Sequence, residues 1–127
     1  MSRRVFPRLG PRIASGDDMI PLKFVSGTEG VGVLTPGWTL ADPVPADSAA
    51  ADESARTHRH VVTFSQPFAY APVVTVGLCG FDLDQQTGGR ISVAAREINA
   101  EGFEVHVTTW RDTLVYAVEF SWLAVGS

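Results

Sequence analysis

The sequence predicts an all-β domain of antiparallel strands, and three observations predict it. Five runs of alternating apolar character lie in its second half: residues 60–65 (HVVTFS), 72–78 (PVVTVGL), 90–98 (RISVAAREI), 102–110 (GFEVHVTTW) and 115–124 (VYAVEFSWLA). β-branched and aromatic residues fill these runs, and such side chains suit a pleated, half-buried surface. Turn residues separate them, with residues 99–102 (NAEG) reading as a hairpin turn.

In chain order, residues 1–24 carry Pro7, Pro11 and Pro21 with no sustained period, and are expected to form an extended N-terminal arm ahead of a β domain over residues 25–127. Such an arm is either a frayed terminus or an anchoring segment that orders on a partner. Residues 22–25 and 31–34 flank a glycine-rich turn at 27–30 and are expected to make a short strand pair or an edge strand. Pro36, Gly37 and Trp38 end it. Residues 41–59 (ADPVPADSAAADESARTHR) hold almost no large apolar side chain and read as a long loop. That loop is either solvated and acidic or a carrier of Asp42, Asp47, Asp52 or Glu53 to a ligand. Gln66-Pro67 and Ala71-Pro72 bracket a turn, residues 82–89 (DLDQQTGG) form another loop, and residues 111–113 close the last connection.

Successive strand side chains point to opposite faces, so the alternation also predicts the core. Tyr116, Val118, Phe120 and Trp122 share an inner face, with Val115, Ala117, Glu119, Ser121 and Leu123 outside. Phe103, Val105 and Val107 make the matching inner row, leaving Glu104, His106, Thr108 and Trp110 outward. Trp110 breaks the pattern. A large aromatic at a strand end beside Arg111 marks a surface where something stacks.

A chain of 127 residues makes one domain of ordinary size. Its 19% charged and 45% hydrophobic residues are a globular composition, and no apolar run is long enough to cross a bilayer, so membrane insertion is not expected. Arg3 and Arg4 are followed by no apolar segment or small-residue cleavage site, which predicts synthesis in the cytoplasm without a secretory signal. The single cysteine, Cys79, is expected to be a buried thiol at a strand end. Net charge is −4 but divides unevenly: five basic and two acidic residues in 1–24, five basic and twelve acidic in the remainder. An acidic domain argues against nucleic acid as the partner, because phosphate binding needs a basic field. The basic arm suits an acidic protein instead.

Phe64-Ser65-Gln66-Pro67-Phe68, Pro72-Val73-Val74, Phe81-Asp82, Arg90 opening a strand, Gly102-Phe103, Thr109-Trp110-Arg111-Asp112-Thr113, Val115-Tyr116 and Ser121-Trp122-Leu123-Ala124 occur in that order. Together they resemble the H-type lectin domain, the module of snail agglutinins and of the C-terminal part of discoidins. The resemblance covers about residues 60–125, touches Ser26-Gly27 and Trp38 upstream, and leaves out the arm. It implies a six-stranded antiparallel β-sandwich that assembles as a homotrimer. It also implies sites between neighbouring subunits that bind galactose or N-acetylgalactosamine without a metal or other cofactor. Carried over by residue, Arg90 matches the family's sugar-binding arginine and Trp110 its tryptophan, while Arg111 stands where snail agglutinins have a histidine. The family's aspartate comes from the loop before the FSQPF strand, where Asp52 or Glu53 is the counterpart in this longer loop.

The set makes chemical sense by itself. Sugar hydroxyls want a carboxylate acceptor, Asp52 or Glu53, and charged donors, Arg90 and Arg111; the apolar C–H face wants an indole, Trp110. The plain alternative is that Arg90 is a surface residue at a strand start and Trp110 packs at a subunit seam. Arg111 adds charge that would favour acidic sugars.

Other chemistries find less support. Asp82 and Asp84 open a calcium-like loop that lacks its closing glutamate and flanking helices, and Asp82 reads instead as the residue that caps this loop. His58 and His60 fall on one side of a strand, and three copies about a trimer axis would offer six nitrogens to a transition metal. Residues 27–32 (GTEGVG) lack dinucleotide spacing and a following helix, and no Walker lysine follows any glycine loop. A glycosidase needs two carboxylates flanking a cleft, and the pattern places Asp82, Asp84 and Glu53 in no such relation. The sequence thus reads as a non-catalytic glycan binder, attached through residues 1–24 to a virion, phage tail or gene-transfer-like particle. The runner-up is a trimeric fibre or spike module that keeps the fold without the sugar.

Overall fold

A computed structural model describes residues 21–44 and 55–127. They form six strands: β1 (Lys23–Gly32), β2 (Arg56–Thr63), β3 (Val73–Leu83), β4 (Ser92–Arg96), β5 (Gly102–Thr109) and β6 (Val115–Gly126). The strands make two antiparallel sheets, in order β1-β6-β3 and β2-β5-β4. The six-stranded sandwich expected from the resemblance is what the chain folds into.

The core lies between the sheets. From β6 it takes Val118, Phe120, Trp122 and Ala124, and from β5 Phe103, Val105 and Val107, so the predicted inner rows hold. Phe64, Phe68, Phe103 and Trp122 pack edge-on or tilted, with ring centroids 5.0–5.9 Å apart. Full burial of each large apolar side chain contributes about 1.5–3 kcal/mol. Val115, expected outside, is fully buried, and Tyr116, expected inside, is half exposed with its hydroxyl donating to Asp84 at 3.2 Å. A register shift between Asp82 and Leu83 skips Tyr116 in the pairing and reverses the alternation there.

Several element boundaries differ from the sequence reading for physical reasons. No turn forms at 27–30: β1 is one ten-residue strand that pairs with β6 along its whole length. Its glycines serve close approach, since a Cβ on Gly27 would stand 2.8 Å from the Trp122 indole. β2 starts four residues before the expected strand because Arg56 to Thr63 pair with Thr109 to Gly102. β3 continues to Leu83, so Asp82 is a strand residue, and it is Asp84 that caps the following loop by accepting the Gln86 N–H at 2.8 Å. β4 is shorter than expected, beginning two residues after Arg90 and ending before Glu97, whose φ of 53° leaves the strand conformation. Cys79 is exposed rather than buried, at the register shift between Leu78 and Gly80.

His58 and His60 do share one side of β2, but that side faces the opposite sheet. His58 is buried against Trp38, with ring centroids 5.1 Å apart. His60 lies edge-on to Phe120 and meets Glu29 of β1 at 2.6 Å. Glu29 also accepts the Trp122 indole N–H at 3.1 Å, so one carboxylate links β1, β2 and β6. This packing takes both imidazoles away from an outward-facing metal site. Among the described residues no three His, Cys, Asp or Glu side chains come together to hold a metal ion.

Candidate functional site

The site is built at the sandwich end where β5 stops and β6 begins. β4 pairs with β5 through Ser92↔Thr108 and Val93↔Val107, and this register brings the residues before Ser92 beside those after Thr108. The Thr109 hydroxyl, fully buried, donates to the Arg90 carbonyl at 2.5 Å and seals that junction. Arg90 and Trp110 therefore leave their strands side by side. Trp110 is half-buried, and Arg111 and Asp112 are exposed.

The Arg90 guanidinium is oriented through one nitrogen. Nη1 donates to the Asp112 carboxylate at 3.1 Å and to the Thr113 hydroxyl at 2.8 Å. Thr113 is itself fully buried and donates to the Gly88 carbonyl. Gly88 packs close to the guanidinium: a Cβ there would stand 3.2 Å from the Arg90 terminal nitrogens, which would have to give by a few tenths of an ångström. The 82–89 loop thus supports Arg90 from behind.

Arg56, at the start of β2, clamps the same turn from the other side. Its Nη2 donates to the carbonyls of Arg111 and Thr113, both at 2.9 Å, and its Nη1 to the Asp42 carbonyl at 3.2 Å. Burial lowers its pKa from the ordinary arginine value, against the opposing pull of Asp42; an arginine stays protonated regardless. Arg111 has a φ of 59°, a left-handed conformation that the clamp on its carbonyl holds in place. Leu114 and Leu40 carbonyls accept from Asp84 and Val115 at 3.0 and 2.8 Å, and the Trp38 indole donates to Val115 at 2.8 Å. A short connection becomes a rigid platform with an indole, a guanidinium and a carboxylate at its surface.

Of the predicted site residues, Arg90, Trp110 and Arg111 come together at this end. Asp52 and Glu53 lie outside the described residues. Asp112 and Arg56 were not among the predicted site residues. The adjacency of Asp112 to Trp110 and Arg111 was a signal, but its approach to Arg90 depends on the β4–β5 register. Arg56 sat within a stretch that reads as a loop.

A concavity lies elsewhere, on the outer face of the β1-β6-β3 sheet. It is a groove of about 470 Å³ lined by Gly30, Gly32, Phe81, Tyr116 and Glu119 among others. It includes none of the predicted binding residues.

Comparison with known proteins places this architecture. A model of the H-type lectin domain matches residues 59–125. A protein of Fuscovulum blasticum named ATP synthase subunits region ORF 7 is 43% identical over 72 residues, which cover 57% of this chain and 63% of that protein. The match thus spans less than two thirds of that relative. Wild-type discoidin II from Dictyostelium discoideum superposes with a TM-score of 0.66 at 20% identity, over 84% of this chain and 37% of that one. The tailspike gp61 of Pseudomonas phage phi297 shares the fold more distantly, with a TM-score of 0.50 at 13% identity, over 87% of this chain and 17% of the tailspike. With its motifs in family order and its two three-stranded sheets, the chain belongs to the H-type lectin domain family, a carbohydrate-binding lectin fold.

Proposed function

We propose that the protein is a multivalent lectin that recognises cell-surface glycans through Arg90, Trp110 and Arg111, as a homotrimer. Recognition is of the galactose or N-acetylgalactosamine type or of acidic sugars. The observation that carries this reading is the convergence of Arg90 and Trp110 on one rigid turn, held by Arg56 and Thr113. A flat indole covers the C–H face of a sugar while guanidinium groups donate to its hydroxyls. Asp52 or Glu53 supplies an acceptor. Binding involves no catalysis.

Single sites of this kind are shallow and weak, and several on one assembly gain about 10²–10⁴ in avidity. Exposed Phe24 and Val73, at 64% and 72%, flank half-buried Val125 across the outer face of the β1-β6-β3 sheet and give self-association an apolar surface. In this reading the assembly is the adhesion module of a virion, phage tail or similar particle, attached through residues 1–24.

The test is a glycan array probed with wild type and Trp110→Ala, after light scattering has matched their oligomeric states. Loss of roughly tenfold or more in signal with the variant is expected, since truncating an aromatic anchor at a binding site costs about 2 kcal/mol and about 1.4 kcal/mol is tenfold. A well-folded wild type that binds no glycan would turn the reading to a structural trimeric fibre or spike module. One observation favours that second reading: Arg90 already has partners in Asp112 and Thr113.

A further inference from the structure

We infer that Asp112 is a sugar-binding residue of this site and that its pairing with Arg90 selects neutral sugars over acidic ones; the inference rests on the lectin reading above. The Asp112 carboxylate lies 3.1 Å from Arg90 Nη1, and the two side chains are 58% and 29% exposed. The exposed partner of the pair is the acceptor. A carboxylate has two oxygens and about four lone-pair positions, and Arg90 uses one of them. Among the described residues Asp112 has no second hydrogen-bond partner.

A donor and an acceptor this close match a pair of adjacent sugar hydroxyls, each of which can donate one hydrogen bond and accept another. One hydroxyl accepts from the Arg90 guanidinium as its neighbour donates to Asp112. The Thr113 hydroxyl, buried and itself donating to the Gly88 carbonyl, accepts from Arg90 and orients the guanidinium toward Asp112. Asp112 in turn comes from the same turn as Trp110, so indole, donor and acceptor move as one unit.

The electrostatic consequence follows from the charges. Alone, Arg90 would attract a uronate or sialate carboxylate. With Asp112 beside it the charge of Arg90 itself is offset, and a sugar carboxylate approaching Arg90 meets a like charge, which leaves Arg111 as the exposed cation of the turn. An exposed ion pair of this type adds little to folding stability, so replacing Asp112 is expected to leave the fold intact. Arg111, exposed on the same turn, sets how far acidic sugars retain residual affinity.

The experiment compares wild type with Asp112→Asn on an array of matched glycans, terminal galactose or N-acetylgalactosamine against galacturonate and sialylated counterparts, with melting temperature and light scattering measured in parallel. The wild type is expected to prefer the neutral set. Asp112→Asn keeps the side chain's shape, weakens neutral glycans about tenfold and lowers the neutral-to-acidic ratio by at least as much. Should the asparagine variant fold poorly, Asp112→Ser makes the same comparison. An unchanged ratio in a folded variant, or a wild type that prefers acidic glycans, overturns the inference and leaves the lectin reading standing. A folded wild type that binds no glycan overturns both.

Discussion

Glu97 and Arg111 both hold left-handed backbone, with φ of 53° and 59°, yet they do so in different settings. Arg111 sits in the site turn, and Arg56 grips its carbonyl at 2.9 Å, so the conformation shapes the platform under Trp110. Glu97 is exposed where β4 ends, and its conformation turns the chain toward Asn99, whose side chain accepts the N–H groups of Glu101 and Gly102 at 2.8 and 3.1 Å. Non-glycine residues pay about 1–2 kcal/mol for such backbone, part of which glycine returns through its greater freedom in the unfolded chain. Glu97→Gly is therefore expected to raise stability by roughly 0.5–1 kcal/mol in denaturant unfolding while glycan binding is unchanged. A destabilised Glu97→Gly would mean that the carboxylate, and not the backbone, matters at this turn.

Among the elements, β2 joins stability to the site. It begins with Arg56 under the Trp110–Thr113 turn and continues with two inward histidines, His58 on Trp38 and His60 on Glu29. Burial lowers the His58 pKa below its ordinary 6.5, the neighbouring His60 adds to the fall, and a hydrogen bond to the Gly37 backbone opposes it. The unfolded chain thus takes up a proton on His58 at a pH where the folded chain does not. The stability held by neutral His58 is complete above 6.5 and is lost as pH falls below that value. Melting temperature is expected to drop from about pH 7.5 to about pH 5.5, and His58→Gln to flatten that slope. Equal slopes in both proteins would assign the dependence to other groups.

At the scale of the whole molecule, the two ends of the sandwich are distinct. β1 starts at Lys23, opposite Gly126 at the end of β6, whereas the site adjoins the start of β6 at Val115. A twelve-residue strand is roughly 40 Å long, so the N-terminal segment enters at the far end from Trp110. Lys23 secures that entry, donating to the carbonyls of Gln66 and Pro67 at 2.9 Å and lying 4.7 Å from the Phe68 ring centroid. Such polarity suits a domain that is attached at one end and binds at the other. If the proposed attachment to a particle holds, removing residues 1–20 is expected to leave glycan binding intact and to abolish incorporation, read by immunoblotting purified particles. Undiminished incorporation would remove the anchoring role from this segment.

Period-two alternation was enough to place Phe103, Val105, Val107, Val118, Phe120 and Trp122 on inner faces, because side-chain direction on a strand is a local property of the backbone. The order of the Phe64–Phe68, Thr109–Thr113 and Ser121–Ala124 motifs likewise carried the family and the six-stranded sandwich. Pairing is not local. Gly27 to Gly30 read as a turn until β6 supplied partners along the entire strand, and Val115 and Tyr116 changed faces through a register shift against β3. Cys79 became exposed through the neighbouring shift. Asp112 and Arg90 are 22 residues apart, and Arg56 and Thr113 are 57 apart. Which charges face one another across such separations is set when sheets align and loops close, so the sequence determined the family and the fold, and only the tertiary structure decided which carboxylate stands beside Arg90.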